Sequence, residues 1–337
     1  MKLLPTWSWP AKALTTCVCA IFISCAGASM LFLYQSVRDP FDQPDRFLHI
    51  PTGDGLSKIA RQFVDLQLIS QAWPILAWGV LSGVSRSLQA GEYLVETGMT
   101  PAQVLGKIGR GEVFQRRVTI LEGLTYHQLL ERLQKAQRLD RVLENTPAGE
   151  IHAAIGHPYG TLEGSFYPDT YHYGAGDSDL ELLARASEKM RREREAAWSV
   201  RAADLAIDSP YEALILASII QKEAMRVEEM SVISGVLHNR LKLGMRLQVD
   251  PTVIYGLGPG FKGKLRRKHL RKDTPYNTYT RNGLPPGPIA SPGREALLAA
   301  VQPSQTPYLY FVAKGDGTHH FSSTLAEHNR AVKKYIK

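Results

Sequence analysis

The chain has 337 residues, of which 44% are hydrophobic and 21% charged, with a net charge of +8. This composition excludes a disordered chain, and the length exceeds one average domain, so two or three domains are expected. All three cysteines (Cys17, Cys19, Cys25) fall within one apolar segment. Elsewhere this excludes disulfides, a cysteine-ligated zinc ion and a thiol nucleophile.

No charged residue occurs from Ala13 to Val37. The stretch 13–34 matches the roughly 20 apolar residues a helix needs to cross a bilayer, and Trp7, Trp9 and Tyr34 are placed to mark its two interfaces. Lys2 and Lys12 precede it, which predicts a cytoplasmic tail over 1–12 and an exported body. The competing reading is a secretory signal cleaved near Ala26-Gly-Ala-Ser. A polar linker follows at Arg38–Asp45.

A strand is predicted at Phe47–Ile50, a helix through Leu56, Ile59, Ala60 and Phe63, a second helix over Ala72–Leu81 and a returning strand from Gly91. This strand–helix–helix–strand order has the layout of LysM modules, which bind N-acetyl sugars. A helix at Pro101–Gly109, a strand at Gln115–Leu121 and an amphipathic helix at Thr125–Leu139 are expected to complete a small mixed sheet, giving a first region over 40–145. A second domain, 146–337, opens with the aromatic loop Thr161–Tyr171 and a charged helix at Leu180–Val200.

Ser209, Pro210 and Glu212 then form a helix start of the capping-box type, with the helix running to about Arg226. Another helix spans Glu228–Leu243 and stops at Gly244. The rest is loop-rich, with a strand at Tyr308–Ala313, a loop through His319 and His320, and a C-terminal helix. The fold class is therefore α+β: a transmembrane helix, a small LysM-like unit, and a mixed domain around a central helix.

That central helix carries the most telling residue. Leu216, Ile219, Ile220 and Glu223 recur at the spacing of one buried stripe. Glu212 is explained by its cap, and Lys222 falls off the stripe. Burial disfavours an ionised carboxylate and raises its pKa, as a general acid near neutral pH requires. The alternative is a buried ion pair with an arginine such as Arg240 or Arg246.

Around Glu223 the loops are rich in short polar and aromatic groups. Asn239, Gln248, Asp250, Tyr276, Asn277, Thr278 and Tyr279 suit sugar hydroxyls, acetamides and pyranose faces. Glu163 supplies a further carboxylate. His319, His320 and His328 match no strong zinc pattern, and His319 is retained as a sugar-binding candidate. No phosphate-cradling glycine loop or nucleophile elbow occurs. Lys262, Lys264, Arg266, Arg267, Lys268, Arg271 and Lys272 form a basic cluster. In an exported protein it points either to anionic lipid or wall polymer or to a solvated loop face, and no nucleic-acid partner is expected.

Several long motifs stand in one order: Leu162-Glu-Gly with Tyr167-Pro-Asp-Thr-Tyr, Ala217–Glu223, Asn239-Arg-Leu, Gly244–Tyr255, Pro275-Tyr-Asn-Thr-Tyr, Gly283-Leu-Pro-Pro-Gly and Tyr308-Leu-Tyr-Phe-Val. In these the chain resembles the MltG (YceG-like) family of endolytic murein transglycosylases. The resemblance implies a single-pass inner-membrane protein with a periplasmic catalytic domain. Such a protein cleaves nascent peptidoglycan between N-acetylmuramic acid and N-acetylglucosamine, beside the peptidoglycan synthases, and uses no cofactor. The family's catalytic glutamate falls on Glu223. Many members carry glutamate two positions earlier, where this chain has Gln221, yet the helical stripe selects Glu223 independently. Two other functions remain open on the residues alone: a lysozyme-like hydrolase with Asp250 or Glu163 as second carboxylate, and a membrane-anchored, non-catalytic peptidoglycan-binding scaffold.

Overall fold

The computed structural model describes residues 11–156 and 160–336, with side chains from Thr15 onward. The expectations placed on Lys2, Trp7, Trp9 and the Lys12 side chain lie outside the described residues. The chain divides into two compact units, Met1–Gln115 and Arg116–Lys337.

The first unit begins with helix α1 (Ala11–Arg38). Its part from Thr15 to Arg38 is long and apolar enough to cross a membrane, and an 18-residue stretch within it has a mean hydropathy of 2.1. Strand β1 (Arg46–Ile50), helices α2 (Leu56–Asp65) and α3 (Trp73–Leu81), strand β2 (Gly91–Val95) and helix α4 (Pro101–Arg110) follow in that order. β1 and β2 pair antiparallel with Leu48 opposite Tyr93. Leu48 and Ile50 point inward, while Phe47 and His49 point out, the alternation that a half-covered strand pair demands. The inward set meets Ile59, Ala60 and Phe63 of α2, Ile75 of α3, and Val104, Leu105 and Ile108 of α4. α4 starts on a full capping box between Thr100 and Gln103, which satisfies two otherwise unpaired helix-end donors.

The second unit runs β3 (Arg116–Thr119), α5 (Tyr126–Leu133), α6 (Ala148–Ile155), β4 (Thr170–Tyr173), α7 (Asp179–Ser199), α8 (Pro210–Glu223) and α9 (Val227–Lys242). It continues with α10 (Asp250–Gly256), α11 (Arg267–Arg271), α12 (Arg294–Val301), β5 (Tyr310–Ala313), β6 (His319–Ser322) and α13 (Leu325–Tyr335). The mixed sheet expected from the sequence does not form. The strands make separate antiparallel pairs, β1–β2, β3–β4 and β5–β6.

β3 finds its partner about fifty residues later, in the segment read as an aromatic loop, with Val118 opposite Tyr171. The Thr119 and Thr170 hydroxyls meet at 3.0 Å across that pair. Residues 116–145, expected with the first region, accordingly pack in the second unit. α5 stops at Leu133 instead of Leu139, because the chain turns there and Arg138 takes a left-handed φ of 61°. The loop expected around His319 and His320 is a strand, β6.

α8 is the central element of this unit. Every residue from Ala213 to Ile220 is buried, with α7, α9, α10 and α12 packed around it. The single stripe inferred from Leu216, Ile219 and Ile220 thus understates its burial; a helix apolar on all sides is a core helix. The Ser209 hydroxyl accepts the Glu212 N–H at 3.2 Å. The expected reciprocal half of the box differs, since the Glu212 carboxylate takes the Asp208 N–H at 2.6 Å. The helix ends at Glu223, not Arg226, because Ala224 turns to extended backbone with ψ of 124°.

Candidate active site

Glu223 is the last residue of α8, where the core helix emerges from its packing and keeps part of its surface accessible. Burial pushes its carboxyl up to about 8, and the negative charge of Asp250 adds to the effect. Both arginines that could have neutralised it are occupied elsewhere. Arg240 donates to the carbonyls of Leu309 at 2.6 Å and Leu247 at 2.8 Å, and its guanidinium lies 5.1 Å from the centre of the Tyr310 ring. Arg246 donates to Asn282 Oδ1 at 3.2 Å and to the Tyr279 carbonyl at 3.0 Å. Among the described residues, no cation lies within ion-pair distance of Glu223.

Asp250 opens α10, and its Oδ1 accepts the Tyr279 hydroxyl at 2.6 Å. Glu223 and Asp250 both act electrostatically on Tyr279 and, with burial, hold that phenol in its neutral form. Glu223, Asp250 and Tyr279 are therefore one electrostatic group, assembled from the end of α8, the start of α10 and the loop before Leu284. Gln248, two residues before Asp250, is exposed and sits at φ 51°. A bulky side chain rarely adopts that left-handed conformation, and such outliers gather at functional sites. The Gln248 N–H donates to the Thr278 carbonyl at 3.1 Å, which holds it there.

The other sugar-binding candidates divide in two. Asn277 is fully buried and donates through Nδ2 to the carbonyls of Leu270 (3.1 Å) and Lys272 (2.7 Å), while its Oδ1 accepts the Tyr279 N–H at 2.8 Å. Thr278 bonds Thr252 at 2.8 Å and the Val249 N–H at 3.0 Å. These two residues shape the loop that presents Tyr279. Asn239 donates to the Thr306 and Tyr308 carbonyls at 2.8 and 3.0 Å. His319 bonds Glu229 through its ring Nδ1 at 2.7 Å and through its backbone N–H at 2.9 Å. Asn239 and His319 thus spend their donors inside the fold. Among the described residues, no three His, Cys, Asp or Glu side chains group to hold a metal ion.

Glu163 and Tyr276 line a cavity of about 880 Å³ together with Tyr126, Lys222, Tyr255 and Phe261. Glu163 is only 4% exposed. Its two oxygens share the Tyr126 N–H, at 2.9 and 3.1 Å, which is one of the unpaired donors at the start of α5. The Tyr255 hydroxyl also donates to it, yet burial outweighs these bonds and pushes the carboxyl up to about 7. Tyr255 meets Tyr276 edge-on at 4.6 Å. The turn that delivers Glu163 depends on Gly164, whose φ is 73° and where an added Cβ would lie 2.5 Å from Pro288.

Three residues that the sequence reading gave no role turn out to brace α8. The Ser218 hydroxyl donates to the Ile215 carbonyl at 2.7 Å and accepts the Ile289 N–H at 3.0 Å. Gln221 accepts the Gly293 N–H at 2.9 Å and donates to Glu122 at 3.3 Å. Lys222 donates to the Gly123 carbonyl at 3.2 Å and reaches the cavity wall beside Glu163. The signal available for Ser218 was a hydroxyl inside an otherwise apolar helical run, since a buried hydroxyl needs partners. Gln221 is therefore a structural tie.

Comparison with known proteins agrees on one kinship. The YceG-like family profile matches residues 48–334. The chain is 31% identical to a Bacillus subtilis strain 168 protein named endolytic murein transglycosylase, over 90% of each chain. A protein of the same name from Streptococcus pneumoniae D39 is 23% identical, over 94% of this chain and 64% of that protein. A crystal structure of a YceG-like protein from Listeria monocytogenes matches 85% of this chain and 98% of its own, with 31% identity and a TM-score of 0.54.

Proposed function

We infer that this chain, which belongs to the YceG-like family, is a membrane-tethered peptidoglycan transglycosylase in which Glu223 is the acid. Relatives bearing the name endolytic murein transglycosylase support the reaction class. What supports the assignment of the residue is a half-buried carboxyl at the end of a core helix, with no ion-pair partner among the described residues and a pKa that burial and Asp250 push up to about 8.

In the mechanism we propose, protonated Glu223 donates to the glycosidic oxygen between N-acetylmuramic acid and N-acetylglucosamine as that bond breaks. The resulting carboxylate takes the proton of the muramic C6 hydroxyl, whose oxygen bonds to C1 and closes a 1,6-anhydro ring. One proton leaves Glu223 and one returns, and no water is consumed. Burial, with the Asp250 carboxylate adding to it, favours the proton on Glu223 until the leaving oxygen accepts it, while the Tyr279 hydroxyl orients Asp250. Aromatic rings such as Tyr255 and Tyr276 suit the faces of sugars in the cavity, and the exposed Gln248 would contact the strand. Cutting within nascent strands would end their elongation beside the synthases. On this reading α1 crosses the inner membrane with its N-terminus inside, the body is periplasmic, and the β1–α2–α3–β2 unit is LysM-like.

The proximity of Asp250 to Glu223 also favours a second reading, a hydrolase in which Asp250 directs water. Mass spectrometry of the new ends separates the two. The transglycosylase leaves anhydro-muramic ends, and the hydrolase leaves reducing ends heavier by one water. Glu223→Gln keeps shape but carries no titrating proton, so its turnover is expected to fall by at least about a hundredfold. Release of anhydro ends by that variant at the parental rate would overturn the assignment.

A further inference from the structure

Seven cations stand between Lys262 and Lys272 with no acidic residue among them. All seven are exposed, and none has an ion-pair partner among the described residues. Elsewhere in the same unit, surface cations are neutralised in place: Arg191 by Glu188 at 2.7 Å, Lys242 by Asp204 at 2.6 Å. Asp273, which directly follows the basic run, is taken by Arg281 at 2.9 Å. Concentrating like charge on one surface costs self-repulsion that an anionic partner relieves.

The segment is also held in shape. The Phe261 ring stands edge-on to His269 at 5.1 Å, and the His269 ring accepts the Arg266 N–H at 3.1 Å. From beneath, buried Asn277 grips the carbonyls of Leu270 and Lys272. The run begins at the rim of the cavity, where Phe261 and Lys262 form part of its wall. A charged surface that is continuous with the cavity points to a ligand that continues out of it.

We propose that this basic segment docks the carboxylates of peptide substituents carried by the glycan strand whose sugars occupy the cavity. This rests on reading that cavity as part of the transglycosylase site. Each exposed cation–carboxylate contact is weak and screened by salt, so the surface acts through the sum of its charges. Recognition is thereby biased toward strands that still bear free peptide carboxylates.

The test measures binding, by fluorescence anisotropy, with the full-length protein in neutral detergent. The probes are labelled uncrosslinked strands in two forms, one native and one with its peptide carboxylates capped as neutral amides. The native form is expected to bind roughly threefold to tenfold more tightly at low salt, with the advantage lost near 1 M salt. Lys264→Gln/Lys268→Gln/Arg271→Gln, which leaves four of the seven cations, is expected to show a clearly smaller preference, whereas Arg266→Lys/Arg267→Lys/Arg271→Lys retains it in full. Equal binding of the two forms by the parent protein, or undiminished preference in the glutamine variant, would overturn the proposal. Should that variant keep its preference for native strands but lose affinity for phosphatidylglycerol in mixed micelles, the surface belongs to the bilayer and the proposal fails. Because the readout is binding, strands held through the segment but never cut would count against the transglycosylase reading alone.

Discussion

Glu163 and Glu223, both in the second unit, are raised toward neutrality chiefly by burial, but their neighbours differ. Glu163 is raised to about 7 against the pull of its own hydrogen bonds, and Asp250 is not among the causes. Glu223 is raised to about 8 by burial first and by Asp250 second. Asp250→Asn therefore discriminates between them. Removing the negative neighbour lowers the Glu223 pKa, so the alkaline limb of a kcat–pH profile is expected to move to lower pH. The move falls short of the whole displacement, because burial, the larger cause, remains. A limb that stays in place would show that the titrating acid is not Glu223. The place of Glu223 at the end of an apolar helical run was legible in the sequence, but its lack of a described cationic partner was not, since an ion pair with an arginine fits the same pattern. The internal hydrogen bonds of Asn277, Thr278, Asn239 and His319 were not legible, because a polar loop residue that ties a turn together and one that meets a sugar look alike until hydrogen-bond partners are known. Glu163 was visible as a candidate, but its burial depends on two segments 37 residues apart meeting at the Tyr126 N–H, which no local pattern encodes.

At the scale of elements, local chemistry announced most boundaries. The capping signals of α8 and the stop of α9 at Gly244, with φ 66°, are written in a few consecutive residues. What was missed is non-local: β4 becomes a strand by pairing with β3, and α12 is a short helix whose place is set by packing on α8 and α9. Gly235, inside α9, belongs to this non-local class. A helix-interior glycine costs up to about 1 kcal/mol relative to alanine, yet a Cβ there would lie 2.4 Å from the Ser304 carbonyl oxygen and 2.7 Å from Thr306. The close approach lets Asn239, one turn on, clasp the Thr306 and Tyr308 carbonyls and hold the strand that follows. Gly235→Ala should consequently destabilise by about 1–3 kcal/mol despite alanine's better helix propensity. That corresponds to a fall of roughly 2–12 °C in the melting temperature of the second unit. An unchanged or raised transition in differential scanning calorimetry would mean that the 304–306 segment yields freely.

For the whole molecule, the question is what α1 is for. A core helix hides its apolar side chains, but in α1 Phe22 is 76% exposed and Ile23 72%. Near its C-terminal end Leu33 and Val37 are buried instead, and the helix packs there on α3 and α4 within the first unit. Water is a poor solvent for such a helix, and a bilayer is a good one. The span Thr15–Arg38 is long enough for it, with its single strong charge at the C-terminal end. Lysine near the centre of a spanning helix costs about 2.5–3.5 kcal/mol on insertion. Ile23→Lys/Met30→Lys is thus expected to cost roughly 5–7 kcal/mol and to shift most of the chain out of the alkali-resistant membrane fraction. The second unit has its own apolar cores in Arg116–Lys337, so its thermal transition should not move with the substitutions. If the doubly substituted chain stayed with the membrane after carbonate washing, α1 would not be the anchor. If instead the second unit melted earlier, the helix would be doing structural work that its exposed surface does not suggest.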